Sequence, residues 1–185
     1  MDRVPTEVPS AAPTGRIELP PYDFSAITPQ IFIAVRPRAR HVENVRSLGV
    51  DLVLSTLWFR PARELTRPPF KVRRVPMIDF PLFPIPLWEL RMAVEAALPV
   101  LEAGGRVFVY CRGGRHRSVA TVCCILIAQG MSADAAMDLV IERRPIADPH
   151  APHIERRIRA FEREWHRRVE AATSGRASDG ANGDI

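Results

Sequence analysis

The stretch VFVYCRGGRHRS, Val107 to Ser118, restricts the fold of this chain more than any other. An apolar run that reads as a buried strand stops at a cysteine. Two glycines and three arginines follow before a second apolar run, SVATVCCILIA, begins. Strand, glycine-bearing loop and helix, in that order, aim successive backbone N–H groups and a helix N-terminus at one point, where an anion belongs. A thiol placed there differs from a core cysteine, because cations and amides stabilise its thiolate whereas apolar burial suppresses it. The loop therefore predicts both a strand-to-helix crossover and a reactive Cys111.

The remainder of the chain supplies partners for that crossover. IFIAV (Ile31 to Val35), VDLVLST (Val50 to Thr56) and KVRRVPMI (Lys71 to Ile78) read as strands, and a helical stretch from Val42 to Leu48 ends before Gly49, a C-cap residue. Leu87, Leu90, Val94, Leu98 and Leu101 share one helical face. Gly130 closes the helix after the loop, and Ser132 reads as the N-cap of ADAAMDLVIERR. Ile154, Ile158, Phe161, Trp165 and Val169 define a last amphipathic helix whose arginine and glutamate face is solvated. Alternating short apolar runs and amphipathic stretches give an α/β domain, with a central, mostly parallel twisted sheet flanked by helices. DFPLFPIP, from Asp79, carries three prolines and must be a shaped loop.

At 185 residues the chain accommodates one domain with a proper core. Residues 1–24 are proline-bearing without apolar period and read as a flexible arm, 25–171 as the catalytic domain, and 172–185 as a disordered tail. Three cysteines, two of them adjacent, make no disulfide framework, and no apolar leader is visible, so a reducing cytoplasm is the expected location. Cys123 and Cys124 read as small core residues. A net charge of +5 favours anionic partners. Aromatic and basic residues do not interleave on one face, so nucleic acid is not expected. No cluster of histidine, cysteine or carboxylate shows metal-ligand spacing along the chain; His150 and His153 read as loop residues, and neither a metal nor a cofactor is expected.

Written out, Cys111-Arg112-Gly113-Gly114-Arg115-His116-Arg117-Ser118 fits C-x-x-G-x-x-R-S. Here the chain resembles the cysteine-dependent protein tyrosine phosphatase superfamily, and most closely its compact dual-specificity branch. The resemblance implies a dual-specificity phosphatase-like fold and hydrolysis of phosphate monoesters through a phosphocysteine. Cys111 is the implied nucleophile. Arg117 offers a planar fork for two phosphoryl oxygens. Gly113 and Gly114 let the backbone approach the phosphate. Ser118 is placed to hydrogen-bond the sulfur and help it leave. The family protonates its leaving group from an aspartate on an upstream loop, and Asp79, 32 residues before Cys111, matches that place. Asp51 is the nearest alternative. Arg144, before Pro145, matches a basic position of the family that braces the loop. The chain departs from the pattern at Tyr110, where the family usually carries a histidine that organises the loop's hydrogen bonds.

Arg112, Arg115 and His116 add positive charge around the phosphate position and resemble the pattern of the superfamily's phosphoinositide and phospholipid phosphatases. The implied substrates are therefore phosphoproteins or anionic phospholipids and inositol phosphates. Arg60, Arg63 and Arg67 are either ordinary surface residues or a contact for an anionic membrane. Trp58 and Phe59 either line the cleft or, as the favoured reading, pack in the core. Two other classes share parts of the signal: rhodanese-like sulfurtransferases, whose loops are tighter and need no upstream acid, and catalytically silent phosphate-binding modules.

Overall fold

Residues that alternate along the strands divide the protein into two layers of core about one sheet. The computed structural model describes residues 22–180. Its strands are β1 (Phe24–Ala26), β2 (Ile31–Val35), β3 (Leu52–Ser55), β4 (Lys71–Arg74) and β5 (Val107–Cys111), arranged β1-β2-β5-β3-β4. β1 pairs antiparallel with β2, and every other pairing is parallel. All five residues of β5 are buried, as a strand with parallel neighbours and helices on its faces demands.

The helices are α1 (Val42–Ser47), α2 (Leu87–Glu102), α3 (Arg117–Ala128), α4 (Ala133–Arg143) and α5 (Pro152–Gly180). Ile31, Ile33, Leu52, Leu54, Val107 and Val109 turn to one face, where α2 to α5 cover them. Phe32, Ala34, Val53, Phe108 and Tyr110 turn to the other, against Val42 and Val45 of α1. This two-residue alternation puts Cys111 on the same face as Val109, below α3. α3 is the central helix; its residues from Ser118 to Ile127 are buried, Cys123 and Cys124 among them, and burial pushes both thiols above their ordinary range.

Several elements differ from the sequence reading, each for a local reason. β1 is a three-residue edge strand, too short to show a period, and Tyr22 is buried beside it. The folded unit thus includes residues assigned to the arm, and residues 1–21 lie outside the described residues. β4 stops at Arg74 because Pro76 has no N–H for a ladder. Val75 and Met77 still donate to the Ser55 and Thr56 carbonyls at 2.8 and 3.1 Å, so the chain stays extended to the next loop. α5 continues through Gly180, past the expected boundary at residue 172. Trp58 and Phe59 are exposed rather than in the core, with Arg36 stacked 5.4 Å from the Phe59 ring centre. Ser132 caps α4, its hydroxyl accepting from the Ala135 amide. Among the described residues, no helix is long and apolar enough to cross a membrane.

Candidate active site

Parallel strands place their C-terminal ends along one edge of the sheet, and the loop from Cys111 to Arg117 leaves the middle of that edge. Gly114 has φ +63, and its backbone lies so close to Ala34 that a Cβ would come within 3.0 Å of that residue's carbonyl. Only glycine fits such a turn without displacing its neighbours. The turn directs the Gly114 N–H at Cys111 Sγ, 3.1 Å away, and the Ser118 hydroxyl donates to the same sulfur at 3.2 Å. Burial works to raise the Cys111 thiol. The Ser118 side chain and backbone, the Arg115 amide and the Arg117 charge outweigh it, so the thiol lies below its ordinary range.

The reactivity of the three thiols separates accordingly. Iodoacetamide should alkylate Cys111 with a pH inflection below that of an ordinary thiol, because the lowered group becomes thiolate earlier as pH rises. Cys123 and Cys124, fully buried, should remain unmodified in the folded protein. Ser118→Ala should move the Cys111 inflection upward. A mass-resolved alkylation profile against pH reads all three.

Arg144 holds the loop from behind. Its side chain is buried, with Nε donating to the Gly114 carbonyl at 2.7 Å and Nη1 to Asp23 Oδ1 at 2.9 Å and Ser25 Oγ at 3.1 Å. One arginine therefore ties the loop to β1, the strand hidden from the sequence reading. Arg144→Met should cost about 1.5–3 kcal/mol in a urea melt, the scale for losing hydrogen bonds to a charged group.

Asp79 pairs with Arg117, whose charge acts on the Cys111 sulfur. Arg117 Nε lies 3.3 Å from Asp79 Oδ2 as an ion pair, but at an angle that makes no hydrogen bond, and Nε is left buried without a hydrogen-bonding partner. The Asp79 loop is held by a tight turn from Phe80 to Phe83, closed by the Phe83 amide at 3.0 Å. Asp51 lies at the opposite end of the sheet, where its carboxylate accepts from the Arg106 amide at the start of β5, so it is no part of the site.

The other loop side chains divide. His116 faces two carboxylates: Nδ1 lies 3.2 Å from Asp79 Oδ1 and Nε2 lies 3.7 Å from Asp148 Oδ2. Arg115 pairs with Asp148 at 3.2 Å, which offsets its charge. Arg112 is exposed and lines a groove of about 800 Å³ with Arg36, Arg38, Arg40, Pro61 and Ala62. Gly113 is exposed at the loop's rim. Tyr110 is buried on the opposite face from the sulfur, and burial raises its hydroxyl above the usual range.

Two features escaped the sequence reading. Arg36, Arg38 and Arg40 follow β2, whose Val35 pairs in register with Cys111, so VRPRAR emerges beside the loop. A run of arginines immediately after a strand parallel to β5 was the available signal. His153, read as a loop residue, sits in the first turn of α5 with Nε2 3.2 Å from Asp79 Oδ1. Asp79, His116 and His153 bring three metal-ligating atoms within 4.8 Å of one another, which corrects the expectation that no such cluster exists.

No protein-family model matches the chain. Among known proteins, dual specificity phosphatase 28 of Mus musculus is 30% identical over 137 residues, covering 74% of this chain and 82% of that protein. A solved structure of human DUSP28 with a tyrosine-to-histidine substitution superposes with a TM-score of 0.70 at 25% identity, over 80% of this chain and 99% of that one. A mouse putative dual specificity phosphatase, complexed with zinc tungstate, gives a TM-score of 0.71 at 27% identity, over 84% of this chain and 96% of that one.

Proposed function

The chain belongs to the dual specificity phosphatases, and from that premise we propose that it hydrolyses phosphate monoesters through a phosphocysteine on Cys111. The observation that carries the reading is one arginine shared by a thiol and an acid: Arg117 helps hold Cys111 below the ordinary thiol range, and Asp79 lies 3.3 Å from the same guanidinium.

The thiolate attacks phosphorus and the ester oxygen departs. Backbone amides of the loop and the α3 N-terminus receive the phosphoryl oxygens. The Arg117 guanidinium grips two of them, which supplies its buried Nε with a partner. Asp79, adjacent to that guanidinium, gives its proton to the leaving oxygen, then takes one from the water that attacks the phosphocysteine. Ser118 donates to the sulfur as it leaves in this second step.

Sulfur transfer gives no role to an acid beside the loop arginine, and a silent module has no use for a lowered thiol. Both alternatives leave the geometry unexplained, and the relatives are phosphatases.

Substrates with a second anionic group near the scissile phosphate suit the site best, because the arginine groove opens beside Arg112. With Arg115 offset by Asp148 and His116 turned to Asp79, the extra charge that selects substrate comes from Arg36, Arg38, Arg40 and Arg112. Doubly phosphorylated peptides and inositol phospholipids in mixed micelles share that chemistry, and a panel containing both distinguishes them. Arg38→Ala with Arg40→Ala should lower kcat/KM about tenfold or more for such substrates, since each screened charge contact is worth about 1 kcal/mol, while a simple aryl phosphate is turned over as before. Equal loss on all substrates would remove the groove from substrate selection.

A further inference from the structure

We propose that Asp79, His116 and His153 form a zinc site against Arg117, which holds the phosphatase off when occupied. Three elements far apart in the sequence contribute one ligand each: the loop after β4, the N-cap of α3 and the first turn of α5. Asp79 Oδ1 is 3.2 Å from both His116 Nδ1 and His153 Nε2. Zinc bonds of about 2.0–2.1 Å in a tetrahedron separate neighbouring ligand atoms by about 3.3 Å, so two edges of the triangle already have the required length. The third edge is no longer than 4.8 Å. Three protein ligands leave a fourth position for water or a phosphoryl oxygen.

The surroundings also suit a metal. A zinc-ligating histidine is oriented by a group on its other ring nitrogen, and His116 has Asp148 on that side, with Nε2 3.7 Å from Oδ2. Arg115 holds the Asp148 carboxylate in place, and the Asp148 amide donates to the Arg115 carbonyl at 3.1 Å. Arg117 lies against Oδ2 of Asp79, which leaves Oδ1 for the metal. All three side chains are partly exposed, at 19%, 26% and 15%, so an ion can reach them from solvent. Two carboxylates, Asp79 and Asp148, balance the charges of Arg115 and Arg117 around the site.

With zinc seated, the Asp79 oxygen is a metal ligand and cannot carry the proton of the leaving group. This inhibitory consequence rests on the reading of Asp79 as general acid, whereas the binding itself does not. Both can therefore be measured separately.

The competing location for zinc is the thiolate of Cys111, and the test separates the two. Zinc binding is titrated against a chromophoric chelator using full-length Cys111→Ser protein, alone and combined with His153→Asn. Circular dichroism and a thermal melt establish that both are folded, and wild-type turnover of an aryl phosphate is followed with zinc and then with chelator. The expected result is one equivalent of zinc bound by Cys111→Ser, affinity lowered more than about 100-fold by the added His153→Asn, since even outer residues of such sites cost 10–100-fold. Wild-type activity should be lost with zinc and restored by the chelator, and the His153→Asn single variant should keep its activity at the zinc concentration that stops the wild type. Failure of Cys111→Ser to bind, or binding that His153→Asn leaves unchanged, overturns the site. One equivalent bound through His153 without inhibition would overturn the off-switch and with it the assignment of Asp79 as the acid.

Discussion

Cys111→Ser should abolish aryl phosphate turnover, lowering kcat by about 10⁴-fold or more, as removal of a nucleophile does elsewhere. The serine hydroxyl occupies nearly the same volume, and the amides, Arg117 and Ser118 remain, so the variant should still bind phosphate analogues. The loss falls on the chemical step. The lowered thiol becomes thiolate earlier as pH rises than an ordinary cysteine, whereas a serine hydroxyl in the same loop stays protonated. Retained folding with retained phosphate binding and no turnover is the expected combination. Residual turnover within tenfold of wild type would mean that another group attacks phosphorus.

The second large effect belongs to Asp79→Asn and depends on the leaving group. For an alkyl phosphate, whose departing oxygen needs a proton, kcat should fall about 10²- to 10⁴-fold. An aryl phosphate with a strongly acidic phenol leaves without that proton, so the first step should proceed and the phosphocysteine should accumulate. The asparagine is isosteric and keeps contacts to His116 and His153 available, while it removes the ability to give and take a proton and the charge that pairs with Arg117. Equal loss across leaving groups would reduce Asp79 to a partner of Arg117.

The central architecture was readable because local and global signals agree there. β5, the loop and α3 are contiguous in sequence, so their geometry follows from an apolar run, two glycines and a second apolar run. DFPLFPIP announced its loop through prolines, and Ser132 its cap through chemistry that acts within three residues. What could not be read is contact between distant segments. β1 owes its place to pairing with β2 and to Asp23 and Ser25 meeting Arg144, more than a hundred residues away. His153 shows nothing at its own position, and only the docking of α5 brings it to Asp79. Trp58 and Phe59 illustrate the opposite failure, since an aromatic pair suggests core by composition while the loop after β3 turns them to solvent. Arg115 and His116 read as phosphate contacts from their loop positions, but the structure gives each an acidic neighbour that the sequence places 33 and 37 residues away.

The most direct measurement of the central claim is to quench Asp79→Asn protein in acid during turnover of an activated aryl phosphate and map the modification by mass spectrometry. A phosphoryl group is expected on the peptide carrying Cys111, formed in a burst of about one equivalent and absent from Cys111→Ser. Phosphate release with no covalent phosphoryl group, or a phosphoryl group on any other residue, would contradict it.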